Sequence, residues 1–74
     1  MDKIIENFLL NFSLNLKNYR KTYGYTQKQV AEKLGITYQS YQAYEQMKAL
    51  PSLPIFIKLA EIYDVSLDSL IGRD

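Results

Sequence analysis

Polar and small side chains share one side of a short helix predicted between Tyr38 and Gln46. Tyr41 and Tyr44 are three residues apart, so both can face inward on that helix. The opposite side then presents Tyr38, Gln39, Gln42, Ala43 and Gln46. A glutamine amide can pair with N6 and N7 of adenine, a serine such as Ser40 can serve either base type, and an alanine methyl can contact thymine. The pattern therefore suits hydrogen bonding to base edges, and a solvated face without a ligand is the alternative.

Histidine and cysteine are both absent from the 74 residues. Their absence excludes disulfides, thiolate metal sites, cysteine nucleophiles, the common zinc sites and the usual general base. The sequence also lacks a glycine-rich loop of the kind that cradles phosphates. We therefore expect no enzyme activity, no bound metal and no cofactor.

Residues 26–46 carry the signals of two short helices joined by a tight turn. Thr26 and Gln29 form a Thr-x-x-Gln capping box, which can satisfy two N–H groups at the start of the first of these helices. Gly35 lies just past its end, where a positive φ lets the chain turn sharply. Thr37 can cap the second helix. Two helices of about nine residues around such a turn predict a helix-turn-helix.

Positive charge is concentrated around this predicted motif. The chain has a net charge of +1, but residues 14–50 hold six basic and two acidic side chains, a net charge of +4. Residues 1–13 and 51–74 are both net acidic. A positive helix-turn-helix with acidic flanks has the polarity that binding to nucleic-acid phosphates requires.

The stretch Leu16–Gly72 resembles the helix-turn-helix family of the phage Cro and CI repressors, the xenobiotic-response-element-like family. The similar segments are LKNYRK and YGYTQKQVAEKLGIT within 16–37, YE at 44–45, and PSLPIFIKLAEIYDVSLDSLIG at 51–72. They cover about three quarters of the chain. The resemblance implies an all-α, five-helix repressor-like DNA-binding domain that lays its third helix in the major groove, usually as a dimer.

The chemistry of the residues, and for Gln27 the resemblance, suggest roles for individual side chains. We expect the predicted third helix to read a site containing A·T pairs through Gln39, Ser40, Gln42 and Ala43. Gln27 matches a family glutamine that contacts the DNA backbone, at a helix start where N–H groups and the helix dipole favour phosphate. The other expected backbone contacts are Lys28, Lys21, Tyr38 and Lys48.

Arg20 and Glu45 stand where this family commonly pairs an arginine with a glutamate. A planar guanidinium could bridge the first and third helices through two hydrogen bonds. We expect a structural role for this ion pair, and two unrelated surface charges are the alternative.

The sequence departs from the family pattern in and just after the third helix. Tyr41 replaces the usual aliphatic core residue, and the outward face carries no arginine or lysine for guanine readout. Met47 stands where glycine usually adopts a left-handed conformation, which is strained for methionine. We therefore expect that the helix continues past Glu45 or that the loop takes another path.

A long helix is predicted from Asp2 to Tyr23, because apolar residues recur there at steps of three and four, and Gly24 suits its end. The family's first helix would begin near Phe12, so residues 1–11 form an N-terminal helical extension. Its apolar side either packs on the fourth and fifth helices or provides a surface for self-association.

Residues 52–71 carry the signals of the fourth and fifth helices, with Ser52 and Ser66 as caps. The expected core stripe of the fourth helix is Leu53, Phe56, Ile57, Ala60 and Tyr63. The candidate dimer patch consists of apolar residues beyond what a monomer needs, namely Ile55, Ile62, Leu67, Leu70 and Ile71.

We expect residues 1–74 to form a single helix-turn-helix domain that binds double-stranded DNA sequence-specifically and acts as a homodimeric transcriptional repressor. The alternative is an antitoxin-like or adaptor protein whose main role is to bind a protein partner, which the surplus apolar residues favour. No charge-free apolar run approaches the roughly eighteen residues of a membrane span, and no signal-peptide cleavage site is present. We therefore expect a cytoplasmic protein without a membrane partner.

Overall fold

The computed structural model describes residues 3–73, and the regular structure within them is entirely helical. Its five helices are α1 (Lys3–Thr22), α2 (Gln27–Leu34), α3 (Tyr38–Glu45), α4 (Leu53–Tyr63) and α5 (Leu67–Ile71). The predicted all-α fold with five helices and a lengthened first helix is confirmed. Asp2, the predicted first residue of that helix, lies outside the described residues.

Side-chain caps define the turn between α2 and α3. The Thr26 hydroxyl accepts from the N–H of Gln29 at 3.1 Å, and Gln29 Oε1 accepts from the N–H of Thr26 at 2.8 Å. Gly35 ends α2 in the left-handed conformation, with φ 71°. Thr37 then caps α3 by accepting from the N–H of Ser40 at 3.1 Å. The capping box, the glycine turn and the second cap all follow the sequence prediction.

One apolar core joins the five helices and holds α3 in place. It consists of Phe12, Leu16, Val30, Ala31, Leu34, Tyr41, Tyr44, Leu59, Tyr63 and Leu70. Tyr41 is fully buried and Tyr44 is 8% exposed. Because aromatic side chains bury large areas, these two tyrosines anchor one side of α3 and leave its other sides to solvent.

Helix α4 faces the core with part of the stripe that the sequence indicated, because Tyr63 is buried and Phe56 and Ala60 pack against the core. Leu59 is fully buried, whereas Leu53 and Ile57 are 66% and 42% exposed. The ring of Tyr63 stacks on Tyr19 of α1 with centroids 5.7 Å apart, which brings Tyr63 and Leu59, one turn before it, inward. The expected stripe was therefore wrong at Leu53 and Ile57 and missed Leu59.

Helix α5 packs against α1 with Leu70 facing the core. The side-chain amide of Asn15 donates to the backbone carbonyls of Ser69 at 3.1 Å and Leu70 at 3.2 Å. Leu70 is fully buried. It therefore leaves the candidate dimer patch, since a residue without exposed surface cannot contact a second molecule.

The N-terminal part of α1 has one buried and one exposed apolar side. Leu9 is 7% exposed, and Phe12 stacks on Phe56 of α4 with centroids 5.2 Å apart. The exposed apolar residues of this helix are Ile4, Ile5, Leu10 and Leu14, between 43% and 64% exposed. Packing on α4 and α5 therefore accounts for only one side of the extension.

The chain leaves α3 through a left-handed residue. The helix ends at Glu45, Met47 has φ 63°, and the N–H of Lys48 donates to the carbonyl of Ala43 at 2.9 Å. The expectation that α3 continues past Glu45 was therefore wrong, and Met47 itself adopts the left-handed conformation that glycine usually provides at this point. A non-glycine residue in this conformation is strained by about 1–2 kcal/mol.

Replacing Met47 with glycine should raise the free energy of unfolding by about 1 kcal/mol, because glycine adopts positive φ without a Cβ clash. This corresponds to a melting temperature about 4–8 °C higher for a domain of this size. Asp64→Gly is the matched control, since Asp64 ends α4 with φ 53°, and aspartate tolerates this conformation better than methionine. In thermal unfolding followed by circular dichroism, Met47→Gly should raise the melting temperature more than Asp64→Gly does. A melting temperature for Met47→Gly below that of the native sequence would contradict the proposed strain at Met47.

Candidate nucleic-acid interface

A buried ion pair connects α1 to the C-terminal end of α3. Arg20 Nε donates to Glu45 Oε2 at 2.7 Å and Arg20 Nη2 donates to Glu45 Oε1 at 3.1 Å, which makes the contact bidentate. Arg20 Nη1 also donates to the carbonyl of Tyr25 at 3.1 Å. The Glu45 side chain is 1% exposed and that of Arg20 is 14% exposed. This ion pair thus connects the two helices, and the alternative of two unrelated surface charges is wrong.

Two further side chains donate to the Glu45 carboxylate. The hydroxyl of Tyr41 donates to Oε2, and the amide of Gln27 donates to Oε1 at 3.0 Å. Burial alone would raise the pKa of Glu45, but the hydrogen bonds from Arg20, Tyr41 and Gln27 and the charge of Arg20 outweigh burial and lower it. Burial and the hydrogen bond to Glu45 raise the pKa of Tyr41. Glu45 is therefore ionised and Tyr41 protonated at neutral pH.

Acid should remove the stabilisation that depends on ionised Glu45. Since the pKa of Glu45 is lowered by folding, the unfolded chain takes up this proton first as the pH falls below about 4.5. The contribution is complete above that pH and is lost as the pH falls through the lower pKa of the folded state. Urea unfolding between pH 7 and pH 3 should show a stability difference between the native sequence and Glu45→Gln that narrows as the pH falls. A difference that stays constant over this range would count against the lowered pKa.

Three of the expected backbone contacts come together where α2 and α3 begin. Tyr38 donates from its hydroxyl to Gln27 Oε1 at 3.4 Å, and Lys28 Nζ lies 5.4 Å from the centroid of the Tyr38 ring. A crevice of about 490 Å³ opens here, lined by Arg20, Tyr25, Thr26, Gln27, Lys28 and Tyr38. Because Arg20 is neutralised by Glu45, Lys28 supplies the positive charge at this crevice that is available to a ligand.

Lys21 and Lys48, the other two residues expected to contact the DNA backbone, lie on segments outside this cluster. Lys21 is exposed in the last turn of α1, and Lys48 is exposed in the loop after α3. The hydrogen bonds and ring contacts that join Gln27, Lys28 and Tyr38 do not extend to them.

The expected base-reading residues differ in their exposure and in the hydrogen bonds that their side chains already make. Gln39 and Ser40 are exposed, whereas Gln42 and Ala43 are half-buried. Ser40 Oγ lies 2.9 Å from Thr37 Oγ1, so this hydroxyl is part of the α3 cap. Gln42 Nε2 donates to the hydroxyl of Tyr38 at 2.8 Å. Gln39 therefore has the freest side chain of the four, and Gln42 has a defined orientation.

Sequence reasoning missed two side-chain contacts within α3. Tyr41 and Glu45 are four residues apart, as are Tyr38 and Gln42, and both pairs form hydrogen bonds. This spacing is the signal that could have found them, because residues at i and i+4 are neighbours on a helix surface.

A separate apolar groove lies between the start of α1, the loop before α4, the first turn of α4, and α5. Its lining residues are Phe8, Leu50, Leu53, Phe56, Leu67 and Ile71, and its volume is about 320 Å³. Leu67 is 40% exposed and Ile71 is half-buried. Ile55 and Ile62 are half-buried and pack against the core instead. Of the candidate dimer patch, only Leu67 and Ile71 line this groove.

Within residues 3–73, each helix is too short or too polar to span a lipid bilayer.

Comparison with known proteins relates the chain to transcriptional regulators. The family described as Helix-turn-helix matches residues 16–70. The chain is 40% identical over 58 residues to the cryptic phage CTXphi transcriptional repressor RstR of Vibrio cholerae, covering 78% of this chain and 52% of that protein. It is 47% identical over 60 residues to the uncharacterized HTH-type transcriptional regulator YqaE of Bacillus subtilis, covering 81% and 52%.

A further relative is the HTH-type transcriptional regulator ImmR of Bacillus subtilis, 38% identical over 65 residues that cover 88% of this chain and 51% of that protein. The chain thus spans about half the length of these three relatives. No solved structure matches the chain significantly.

Proposed function

The chain belongs to the helix-turn-helix family, of the Cro and CI repressor type, and from this premise we propose that it binds double-stranded DNA as a dimeric transcriptional repressor. The relatives carry the names of transcriptional regulators and not of enzymes. In the proposed complex, α3 lies in the major groove, as the second helix of a helix-turn-helix does.

The observation that carries this proposal is the asymmetry of α3. Its buried side is anchored by Tyr41, Tyr44 and the Glu45 ion pair, while Gln39 and Ser40 are exposed on the other side. A helix that is held rigidly and presents short polar side chains can place them against base edges with little loss of conformational freedom. In this proposal Gln39, Ser40, Gln42 and Ala43 read bases.

Phosphate contacts at the crevice would set the position of α3 on the duplex. Gln27 at the start of α2 and Lys28 offer hydrogen-bond donors and positive charge there, and the Tyr38 ring lies beside Lys28 at the wall of the crevice. Lys21 and Lys48 add exposed positive charge on the chain segments next to the motif. This division assigns affinity to the backbone contacts and selectivity to α3.

Selection of bound duplexes from a randomised pool tests the proposal directly. A dimer that reads bases should enrich one palindromic sequence and bind it at least ~10³-fold more tightly than scrambled DNA. Gln39→Ala should weaken binding to the selected sequence by about 5-fold or more and leave binding to scrambled DNA unchanged. Lack of enrichment, or equal affinity for selected and scrambled duplexes, would count against base reading.

The dimer in this proposal is supported by the apolar groove and by Leu53, which is 66% exposed at its edge. Sedimentation equilibrium at ~100 µM should detect a dimer with a micromolar dissociation constant. Leu53→Lys should convert that dimer to a monomer with unchanged helicity, because the side chain contributes little to the core. A monomer for the native sequence at this concentration would refute self-association.

A second candidate function is binding to a different protein, and the exposed apolar side of α1 favours it. Ile4 and Ile5, 64% and 45% exposed, lie on a part of the helix that precedes the family match. Stable co-purification with a heterologous partner that Ile4→Lys abolishes, without loss of DNA binding, would support this function.

A further inference from the structure

A series of side-chain hydrogen bonds runs from the buried ion pair to Gln42. Glu45 Oε1 accepts from Gln27 Nε2 at 3.0 Å, and Gln27 Oε1 accepts from the Tyr38 hydroxyl at 3.4 Å. The Tyr38 oxygen in turn accepts from Gln42 Nε2 at 2.8 Å. We call these four residues, Glu45, Gln27, Tyr38 and Gln42, the amide relay.

The direction of every hydrogen bond in the amide relay follows from Glu45. An ionised carboxylate can only accept, so Gln27 must turn its NH2 group towards Glu45 and its oxygen towards Tyr38. The single hydroxyl hydrogen of Tyr38 is then donated to Gln27, and the Tyr38 oxygen is left to accept. Gln42 must consequently present its NH2 group to Tyr38. A glutamine amide that is otherwise free to turn over is thus held in one of its two orientations.

The Tyr38 ring is itself held in place by Lys28 and by its hydroxyl. Lys28 Nζ lies 5.4 Å from its centroid, and the side chain is half-buried against the start of α2. The carboxylate at the other end of the relay is fixed by the bidentate contact with Arg20. The relay therefore connects a rigid joint between helices to a side chain of the proposed base-reading surface.

We propose that the amide relay orients Gln42 to select adenine over guanine, which makes Tyr38 a positioning residue for specificity. With one N–H donated to Tyr38, Gln42 keeps its oxygen and its second N–H for DNA. The oxygen can accept from N6 of adenine and the N–H can donate to N7, whereas guanine presents the acceptor O6 where adenine has its N6 donor. A reversed amide would turn its NH2 group outward and could donate to that O6. The inference rests on the proposed DNA-binding function.

The side-chain amide signals of the DNA-free protein test the relay by itself. In ¹⁵N–¹H spectra, Tyr38→Phe should shift the Gln42 NH2 signals towards those of the exposed Gln39, because the acceptor is gone. Tyr23→Phe is the matched control, since it removes a hydroxyl that donates to the Tyr63 carbonyl at 2.9 Å, away from the relay. The control should leave the Gln42 signals in place. Unchanged Gln42 signals in Tyr38→Phe would overturn the relay.

The consequence for specificity is measured as a ratio of affinities. Gln42→Ala first identifies the base pair whose preference depends on Gln42, and duplexes with adenine or guanine at that position are then compared. Tyr38→Phe should lower the adenine-to-guanine affinity ratio about 5-fold or more, and Tyr23→Phe should not change it. Any loss of contact with the DNA backbone in Tyr38→Phe weakens binding to both duplexes equally, and this effect cancels in the ratio.

The two measurements separate failure of the relay from failure of the proposed function. Shifted Gln42 signals with an unchanged ratio would overturn the selection of adenine. A native protein that prefers no sequence would overturn base reading as a whole, while the spectra of the DNA-free protein would still decide whether the relay exists.

Discussion

Arg20→Met is expected to lower the free energy of unfolding by about 3 kcal/mol, because it leaves the Glu45 carboxylate buried without its counter-charge. Glu45 is 1% exposed, so water cannot replace the missing guanidinium without opening the structure. A core of this size provides only about 3–5 kcal/mol in total. The variant should therefore be largely unfolded at 37 °C, and urea unfolding followed by circular dichroism at a lower temperature measures the loss.

The double variant Arg20→Met/Glu45→Met tests whether the loss in Arg20→Met comes from the unpaired charge of Glu45. Replacing both partners of a buried ion pair with apolar groups is often far less costly than removing one, so the double variant should be more stable than Arg20→Met. A loss below about 0.5 kcal/mol for Arg20→Met would mean that the pair behaves as an exposed one. A double variant less stable than Arg20→Met would show that Glu45 still stabilises the fold without Arg20, through its hydrogen bonds from Tyr41 and Gln27, so that a stranded charge does not cause the loss.

The parts of this fold that could be predicted are those with local causes. The Thr26–Gln29 capping box and the turn at Gly35 depend on residues within one or two turns of helix, and the structure has both. Arg20 and Glu45 are 25 residues apart, so no spacing rule relates them, and only the family resemblance suggested their contact. The amide relay is harder still to predict from sequence. Gln27 lies on α2, whereas Glu45 and Tyr38 lie on α3, so these contacts depend on the angle between the two helices.

The features that could not be predicted are those for which the sequence allows more than one packing. Most residues of α4 are apolar, so more than one helical stripe could face the core, and the choice depends on the aromatic contact between Tyr63 and Tyr19. Leu70 similarly could have faced either side of a five-residue helix until the contacts of Asn15 with α5 defined its packing. Met47 breaks a local rule, because the chain leaves α3 through a left-handed conformation that is strained for methionine.

The affinity for DNA should fall by about 10³-fold between 50 and 200 mM salt if the proposed phosphate contacts form in a dimer. Three lysines per protomer, Lys21, Lys28 and Lys48, give six charged contacts in the dimer, and each phosphate that they neutralise contributes about −0.9 to the slope of log affinity against log salt. The expected slope is about −5, and a monomer making the same contacts would have about half that value. Fluorescence anisotropy with a labelled duplex over this salt range measures it.

Lys28→Gln distinguishes a phosphate contact from the general attraction of a basic protein. It should weaken binding to selected and scrambled duplexes equally and make the slope shallower by about 2 in the dimer, since each protomer then binds one phosphate fewer. Lys58→Gln is the matched control, because Lys58 is exposed on α4, outside the proposed interface, and carries the same charge. Equal effects of the two substitutions would show that only net charge matters. A large effect of Lys28→Gln alone would instead locate the DNA backbone at the crevice between α2 and α3, where Lys28 lies over Tyr38.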